Sequence, residues 1–284
     1  MAIRTVTIVG VGLIGGSFAL ALRRAGFDGR IVGVSRPHTI ETALDLGVID
    51  AGAPLDEALA ASDLVYLAQP ILRILEQLPE VARLTRPGTL VTDAGSTKVA
   101  IVEAASRAFQ GRERDFLGGH PMAGKEGRGV EIAEAELFRG AVYAVTPVAG
   151  LHDQDERVAA FLDWIRRIGA KPLAISPDEH DRVTALTSHV PQLVSTALAA
   201  SVWEGLPSAD RLEVAGGGLR DMTRLAGSSY AIWEGILRTN AGPIAEGLRR
   251  VAAELERMGV DPESPALESR FDVAQTLHKK LREP

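Results

Sequence analysis

The spacing of apolar and polar positions changes character once along this chain, close to Ser176. Before that point short β-branched runs alternate with helical spacings, and after it helical spacing alone recurs. The run Ile3-Arg4-Thr5-Val6-Thr7-Ile8-Val9 is bounded by glycine and predicts a buried parallel strand. Further strands are predicted at 30–34, 64–68, 89–93, 141–147 and 171–175, with helices at 18–24, 40–46, 99–109 and 154–168 and another ahead of Gly88. This alternation is the mark of βαβ units in a doubly wound parallel sheet. Ser176-Pro177-Asp178-Glu179 then reads as a helix start, with a serine N-cap, proline first and glutamate closing a capping box. Apolar residues follow at Val183, Leu186, Val190, Leu193, Ala197 and Leu198; Pro191 inside this helix predicts a kink beside His189. Ile244, Leu248, Val251, Leu255 and Met258 mark another helix, and Phe271, Ala274, Leu277 and Leu281 a last one. The stripe Ile244–Met258 and the helix before it carry more apolar surface than a small helical domain can cover, which predicts a homodimer through the helical half.

Three stretches in the first half carry candidate chemistry. Gly10-x-Gly12-x-x-Gly15 falls between a strand and a helix, the context a dinucleotide fingerprint requires. Gly10 makes the turn, Gly12 admits a pyrophosphate, Gly15 packs helix on strand, and the N–H groups of the turn through Leu13 and Ile14 face the phosphates. The fold class is therefore α/β: a Rossmann-type domain over 1–176, then an all-helical dimerisation and substrate-binding domain over 177–284. The second strand ends in Ser35-Arg36, where an acidic residue would hold the ribose of NAD. A hydroxyl followed by a guanidinium suits a 2′-phosphate, so NADP is expected, with NAD the alternative. Gln69, Pro70 and Asp93 close strands at the sheet's carboxyl edge and are expected to line the cofactor crevice. Ser96 follows there, either near the reacting group or as a helix cap. Leu117–Gly124 reads as a compact loop that leaves His120 little to hide behind. In the second half, Gly216-Gly217-Gly218 reads as a loop of close approach. Arg220 and Arg224 lie one helical turn beyond each other, one to take a carboxylate and the other to pair with Asp221 or Glu213.

Composition narrows the field. The 284 residues allow one large domain or two ordinary ones, and 46% hydrophobic with 24% charged residues is a soluble globular profile. With no cysteine, disulfides, thiolate zinc sites and cysteine nucleophiles are excluded together. A net charge of -6 argues against a nucleic-acid partner. No apolar run reaches membrane-spanning length and the opening residues lack a signal-peptide layout, so the expectation is a cytoplasmic protein with no membrane partner.

Five motifs in order, at 10–17, 93–98, 118–124, 188–191 and 217–224, resemble the prephenate/arogenate dehydrogenase family of tyrosine biosynthesis. The resemblance implies an oxidative decarboxylation of a cyclohexadienol with no metal. It implies His120 as acceptor of the ring hydroxyl's proton and Ser96 as the group orienting that hydroxyl. His189 and Arg224 match positions that hold the substrate's carboxylate and side chain, Gly217 allows close backbone approach, and Trp233 matches a residue reaching over from the neighbouring subunit. Lys125 and Ala185 depart from the family pattern, the first replacing a small hydroxyl residue. Prephenate is the expected substrate and arogenate its competitor, with Glu126 favouring arogenate's amine and Lys125 offsetting it. Two other readings are weaker. A 3-hydroxyacid or imine dehydrogenase would place a lysine in the helical half, and no lysine occurs between Ser176 and Asp261. A non-catalytic NADPH-sensing regulator would have lost the histidine stretch or Ser96, and both are intact.

Overall fold

The computed structural model describes residues 3–148, 152, 154–260 and 263–283. Eight strands, β1 (Thr5–Val9), β2 (Arg30–Val34), β3 (Ala51–Gly52), β4 (Leu64–Leu67), β5 (Leu90–Asp93), β6 (Phe116–Pro121), β7 (Val142–Thr146) and β8 (Lys171–Ala174), form one sheet in the order β3-β2-β1-β4-β5-β6-β7-β8. Strands β1 to β6 run parallel; β7 opposes β6, and β8 follows β7. The crossovers carry α1 (Leu13–Arg24), α2 (Pro37–Asp45), α3 (Leu55–Ala60), α4 (Ile71–Leu84), α5 (Val99–Ala108) and α6 (Glu156–Arg167). The strand order reverses between β1 and β4, so their carboxyl ends open the crevice in which doubly wound sheets hold ligands. The core lies against the sheet, with Phe18 stacked on Tyr66 at 4.1 Å between ring centres and Phe161 edge-on to Tyr143.

The remaining helices are α7 (Pro177–Thr184), α8 (Val190–Gly205), α9 (Gly217–Thr223), α10 (Tyr230–Thr239), α11 (Ala241–Val260) and α12 (Pro265–Lys280). Contacts divide the chain into two compact units. One comprises residues 1–184 with 228–240, the other 185–227 with 241–284. Helix α7 and helix α10 thus belong to the sheet unit. The Ser176 hydroxyl accepts the Glu179 N–H at 3.2 Å, as its capping pattern requires.

Two local expectations are corrected. The histidine stretch is a strand through Pro121, not a loop, because its glycines serve close packing in place of a turn. A methyl at Gly118 would stand 2.3 Å from the Thr146 hydroxyl, and one at Gly119 would stand 2.7 Å from the Asp93 carbonyl. The glycine run does not stay a loop: Gly216 is the N-cap and Gly217 already begins α9. Pro191 is accommodated by a π-helical turn over Ala185–His189, which widens the backbone just ahead of the residue that lacks an N–H.

In the helical unit Gly247 lets α11 approach α8, where its added methyl would meet Val190 at 2.6 Å. Ile244 is buried within the chain, while Leu255, Phe271, Val273, Leu277 and Leu281 are exposed. Among the described residues no helix is long and apolar enough to cross a membrane.

Candidate active site

The glycine loop shows a separate physical role for each glycine. Gly10 has φ +97°, and a methyl there would stand 2.7 Å from the Ala68 carbonyl, so the turn after β1 lies directly on the end of β4. A methyl at Gly15 would be 2.2 Å from the Gly10 carbonyl and 2.7 Å from Ile8, which welds α1 to β1. Gly12 meets nothing within 4 Å. Packing among the described residues therefore does not require its missing side chain, whereas its place as N-cap of α1 and room for a ligand both do. The N-terminus of α1 has no side-chain cap and no acidic residue in its first turn, and Leu13 and Ile14 carry its leading N–H groups. Beside it, the buried Gln69 Oε1 finds no hydrogen-bond partner among the described residues. These features fit a dinucleotide pyrophosphate. Ser35 and Arg36 are exposed at the end of β2, with Arg36 as N-cap of α2, and Pro70 is the N-cap of α4.

Asp93 takes a different place from the crevice lining expected of it. It is fully buried: one oxygen accepts the Gly119 N–H at 3.0 Å, the other accepts the Gly95 N–H at 2.8 Å and an ion pair from Lys98 Nζ. The same Nζ donates to the Gly119 carbonyl at 2.7 Å. Backbone pairing between β5 and β6 ends at Thr92 and Leu117, and from there these two side chains carry on the ladder. Both backbone groups of Gly119 are clamped one residue before His120. Burial pulls the Lys98 ammonium below its ordinary pKa, and the Asp93 carboxylate beside it pushes the other way.

Ser96 is half-buried in the bend before α5, and it does not cap that helix. The first N–H groups of α5, from Lys98 and Val99, go instead to the two oxygens of Asp181 at 2.7 and 2.9 Å. The Ser96 hydroxyl consequently has no hydrogen-bond partner among the described residues. Asp181 also accepts from His180 Nδ1 at 2.8 Å, and His180 Nε2 lies 2.8 Å from His120 Nδ1. The Asn240 amide donates to the Asp181 carbonyl at 2.8 Å, and Thr239 bonds Thr97, so α10 is tied to the same corner. His180 and Asp181 are each 2% exposed, whereas His120 is half-buried. Sequence reasoning read the first turn of α7 for its capping pattern and missed both residues; the only local signal was a His-Asp pair in that turn.

The other candidates divide by unit. Lys125 pairs with Glu134 at 3.0 Å, not with its neighbour Glu126, which is exposed and makes no ion pair among the described residues. Trp233 is half-buried on α10, within the sheet unit. In the helical unit His189 is 1% exposed and precedes α8, and Gln192 Nε2 on that helix bonds the Leu225 carbonyl at 2.8 Å. This draws the turn begun by Arg224 to the start of α8. Arg220 and Arg224 are exposed and make no ion pair among the described residues, so neither Asp221 nor Glu213 takes one of them. Gly217 opens α9 with nothing within 4 Å of an added methyl. Among the described residues no cluster of histidine and carboxylate side chains could hold a metal.

Known proteins bear on both halves. Residues 18–173 match the family model for the prephenate dehydrogenase nucleotide-binding domain, and residues 176–266 match that for the prephenate dehydrogenase dimerization domain. The chain is 32% identical over 286 residues to a prephenate dehydrogenase of Lactococcus lactis subsp. cremoris, covering 98% of this chain and 77% of that one. It superposes with TM-score 0.89 on a prephenate dehydrogenase from A. aeolicus solved with hydroxyphenyl propionate and NAD+, at 30% identity and 99% coverage of each. An arogenate dehydrogenase from Synechocystis gives TM-score 0.83 at 30% identity, covering 98% of this chain and 99% of that one.

Proposed function

The chain belongs to the prephenate dehydrogenase family, and from that membership we propose that it catalyses the NAD(P)-dependent oxidative decarboxylation of prephenate to 4-hydroxyphenylpyruvate in tyrosine biosynthesis. The observation that carries this reading is the setting of His120. It is half-buried on a strand whose preceding residue is held at both backbone groups, on the same sheet edge as an uncapped serine hydroxyl.

In this mechanism His120 accepts the proton of the ring hydroxyl as a general base, and Ser96 binds the same oxygen and orients it. A bound nicotinamide would supply the acceptor for the hydride that leaves the carbinol carbon. Carbon dioxide leaves from across the ring, and the electron pair of the broken bond completes the aromatic ring as a phenolate, which takes the proton back from His120. His189 and Arg224 hold the substrate's carboxylate and side chain, Gly217 lets backbone approach, and Trp233 reaches over from the neighbouring subunit. Gly12, with the N–H groups of Leu13 and Ile14, receives the pyrophosphate in the turn that Gly10 and Gly15 shape; Gln69 and Pro70 border it. Asp93 acts by clamping Gly119. Ser35 and Arg36 receive a 2′-phosphate, so NADP is the preferred cofactor and NAD the alternative. The enzyme works as a cytoplasmic homodimer joined through its helical half, without nucleic-acid or membrane partners.

Arogenate is the second reading. It is supported by similarity to the Synechocystis arogenate dehydrogenase and by the uncommitted carboxylate of Glu126. Lys125 is drawn to Glu134 and offsets that carboxylate less than its position in sequence suggests. The test is incubation with prephenate and with arogenate, each with NAD and NADP, following reduced nicotinamide. His120→Asn should lower kcat by roughly 10²–10⁴ with KM little changed. A variant keeping most of its kcat would refute the role of His120.

A further inference from the structure

The buried pair behind His120 has no part in binding or chemistry as described so far, yet with His180 neutral its hydrogen bonds leave one consistent proton arrangement. Asp181 accepts at both oxygens from the backbone of α5 and also faces His180 Nδ1 at 2.8 Å. A carboxylate so placed is an acceptor only, so His180 Nδ1 carries the proton. In a neutral imidazole the other nitrogen is then an acceptor, and His180 Nε2 lies 2.8 Å from His120 Nδ1. His120 Nδ1 must be the donor, which leaves its Nε2 as the basic nitrogen. We propose that His180 and Asp181 are positioning residues that fix His120 as its Nδ1–H tautomer and stabilise the imidazolium formed when Nε2 takes the substrate's proton.

The proposal rests on His120 being the base and adds what makes it one. It applies the logic of an oriented histidine with a second imidazole between base and carboxylate. His180 and Asp181 are occupied by one another, by His120 and by the first N–H groups of α5, so neither is placed to bind substrate. Their geometry is enforced from several elements: α5 donates two N–H groups to Asp181, the Asn240 amide holds the Asp181 carbonyl, and the Thr184 hydroxyl holds that of His180. The charged and titratable groups around the relay are His120 on β6, Lys98 on α5 and Asp93 on β5. Lys98 is paired with Asp93, and its charge is felt at Asp181. The Lys98–Asp93 pair is internally neutralised, so the carboxylate that His120 senses through His180 is that of Asp181.

The test uses the full chain with saturating cofactor and compares wild type, His180→Leu, His180→Gln and His120→Asn. His180→Leu should lower kcat roughly 10²-fold with KM within about twofold, because the tautomer is no longer fixed. The acid limb of its kcat/KM profile should move to lower pH, since the imidazolium loses its link to a carboxylate. His180→Gln keeps an amide oxygen facing His120 Nδ1, so it should recover part of kcat while leaving the limb displaced. Wild-type kcat and an unmoved limb in both His180 variants, with His120→Asn inactive, would overturn the relay and leave the base intact. An active His120→Asn would instead remove the reading on which the relay rests. Should His180→Leu fail to fold, ¹⁵N-histidine NMR of the wild-type holoenzyme decides. A protonated Nδ1 and bare Nε2 at His120 support the relay, and a protonated Nε2 overturns it.

Discussion

Gly12→Ala and Gly15→Ala ask the same methyl of two positions three residues apart, and the structure assigns them opposite consequences. At Gly15 the methyl would stand 2.2 Å from a backbone carbonyl that cannot turn aside. Overpacking of that kind costs ~1–3 kcal/mol, towards the upper end here, against a helix-propensity gain of about 1 kcal/mol. The net loss of about 1–2 kcal/mol lowers Tm by roughly 2–8 °C for a chain of this size. At Gly12 the methyl meets nothing and φ is -99°, open to any residue, so only the N-cap preference is lost, about 0.5–1 kcal/mol. The same methyl would occupy the space that a pyrophosphate needs, displacing a charge-assisted contact of ~1.5–3 kcal/mol, or about 10- to 100-fold in Kd. Thermal melts with and without NAD(P) separate the two effects. At a cofactor concentration of about 100 Kd the wild type gains ~2.7 kcal/mol, and a 30-fold weaker variant gains about 0.9 kcal/mol. Gly15→Ala should melt early yet keep its cofactor-induced rise, and Gly12→Ala should lose most of that rise. A Gly12→Ala protein that binds NAD(P) as tightly as wild type would refute the reasoning.

Arg36→Ala should weaken NADP by about 10- to 100-fold in Kd and leave NAD almost unchanged, and a wild type that clearly favours NAD would contradict it. Lys98→Met strands the buried Asp93 carboxylate and should cost ~3–5 kcal/mol by denaturant unfolding. Adding Asp93→Asn should recover part of that loss, whereas simple additivity would deny the coupling. Arg157 holds the Asp155 carboxyl at about 2, below the usual carboxylate range. Its contribution is therefore complete above ~4 and lost as pH falls through about 2, so Asp155→Asn should flatten that part of the acid-unfolding curve. The exposed Phe271, Val273, Leu277 and Leu281 call for a partner, and sedimentation as a monomer at micromolar concentration would count against the dimer.

Much of this protein is written in local signals. The period switch near Ser176, the strand–glycine–helix opening and the serine cap of α7 each depend on residues within a few positions of one another, and backbone sterics and capping act at that range. The role of Gly15 was legible for the same reason. What the sequence could not determine depends on elements far apart in the chain. Gly118 and Gly119 look like turn glycines until β5 and β7 supply the atoms that a side chain would strike. Ser96 looks like a cap until Asp181, reaching the Lys98 N–H from 83 residues away, takes that place. Asp93 looks like a crevice residue until Lys98 buries it, and His180 looks like any helix-start residue until folding sets it against His120, 60 residues earlier. Hydrophobic spacing specifies which face of an element turns inward, and the chemistry at the contact is decided by what the neighbouring element presents there.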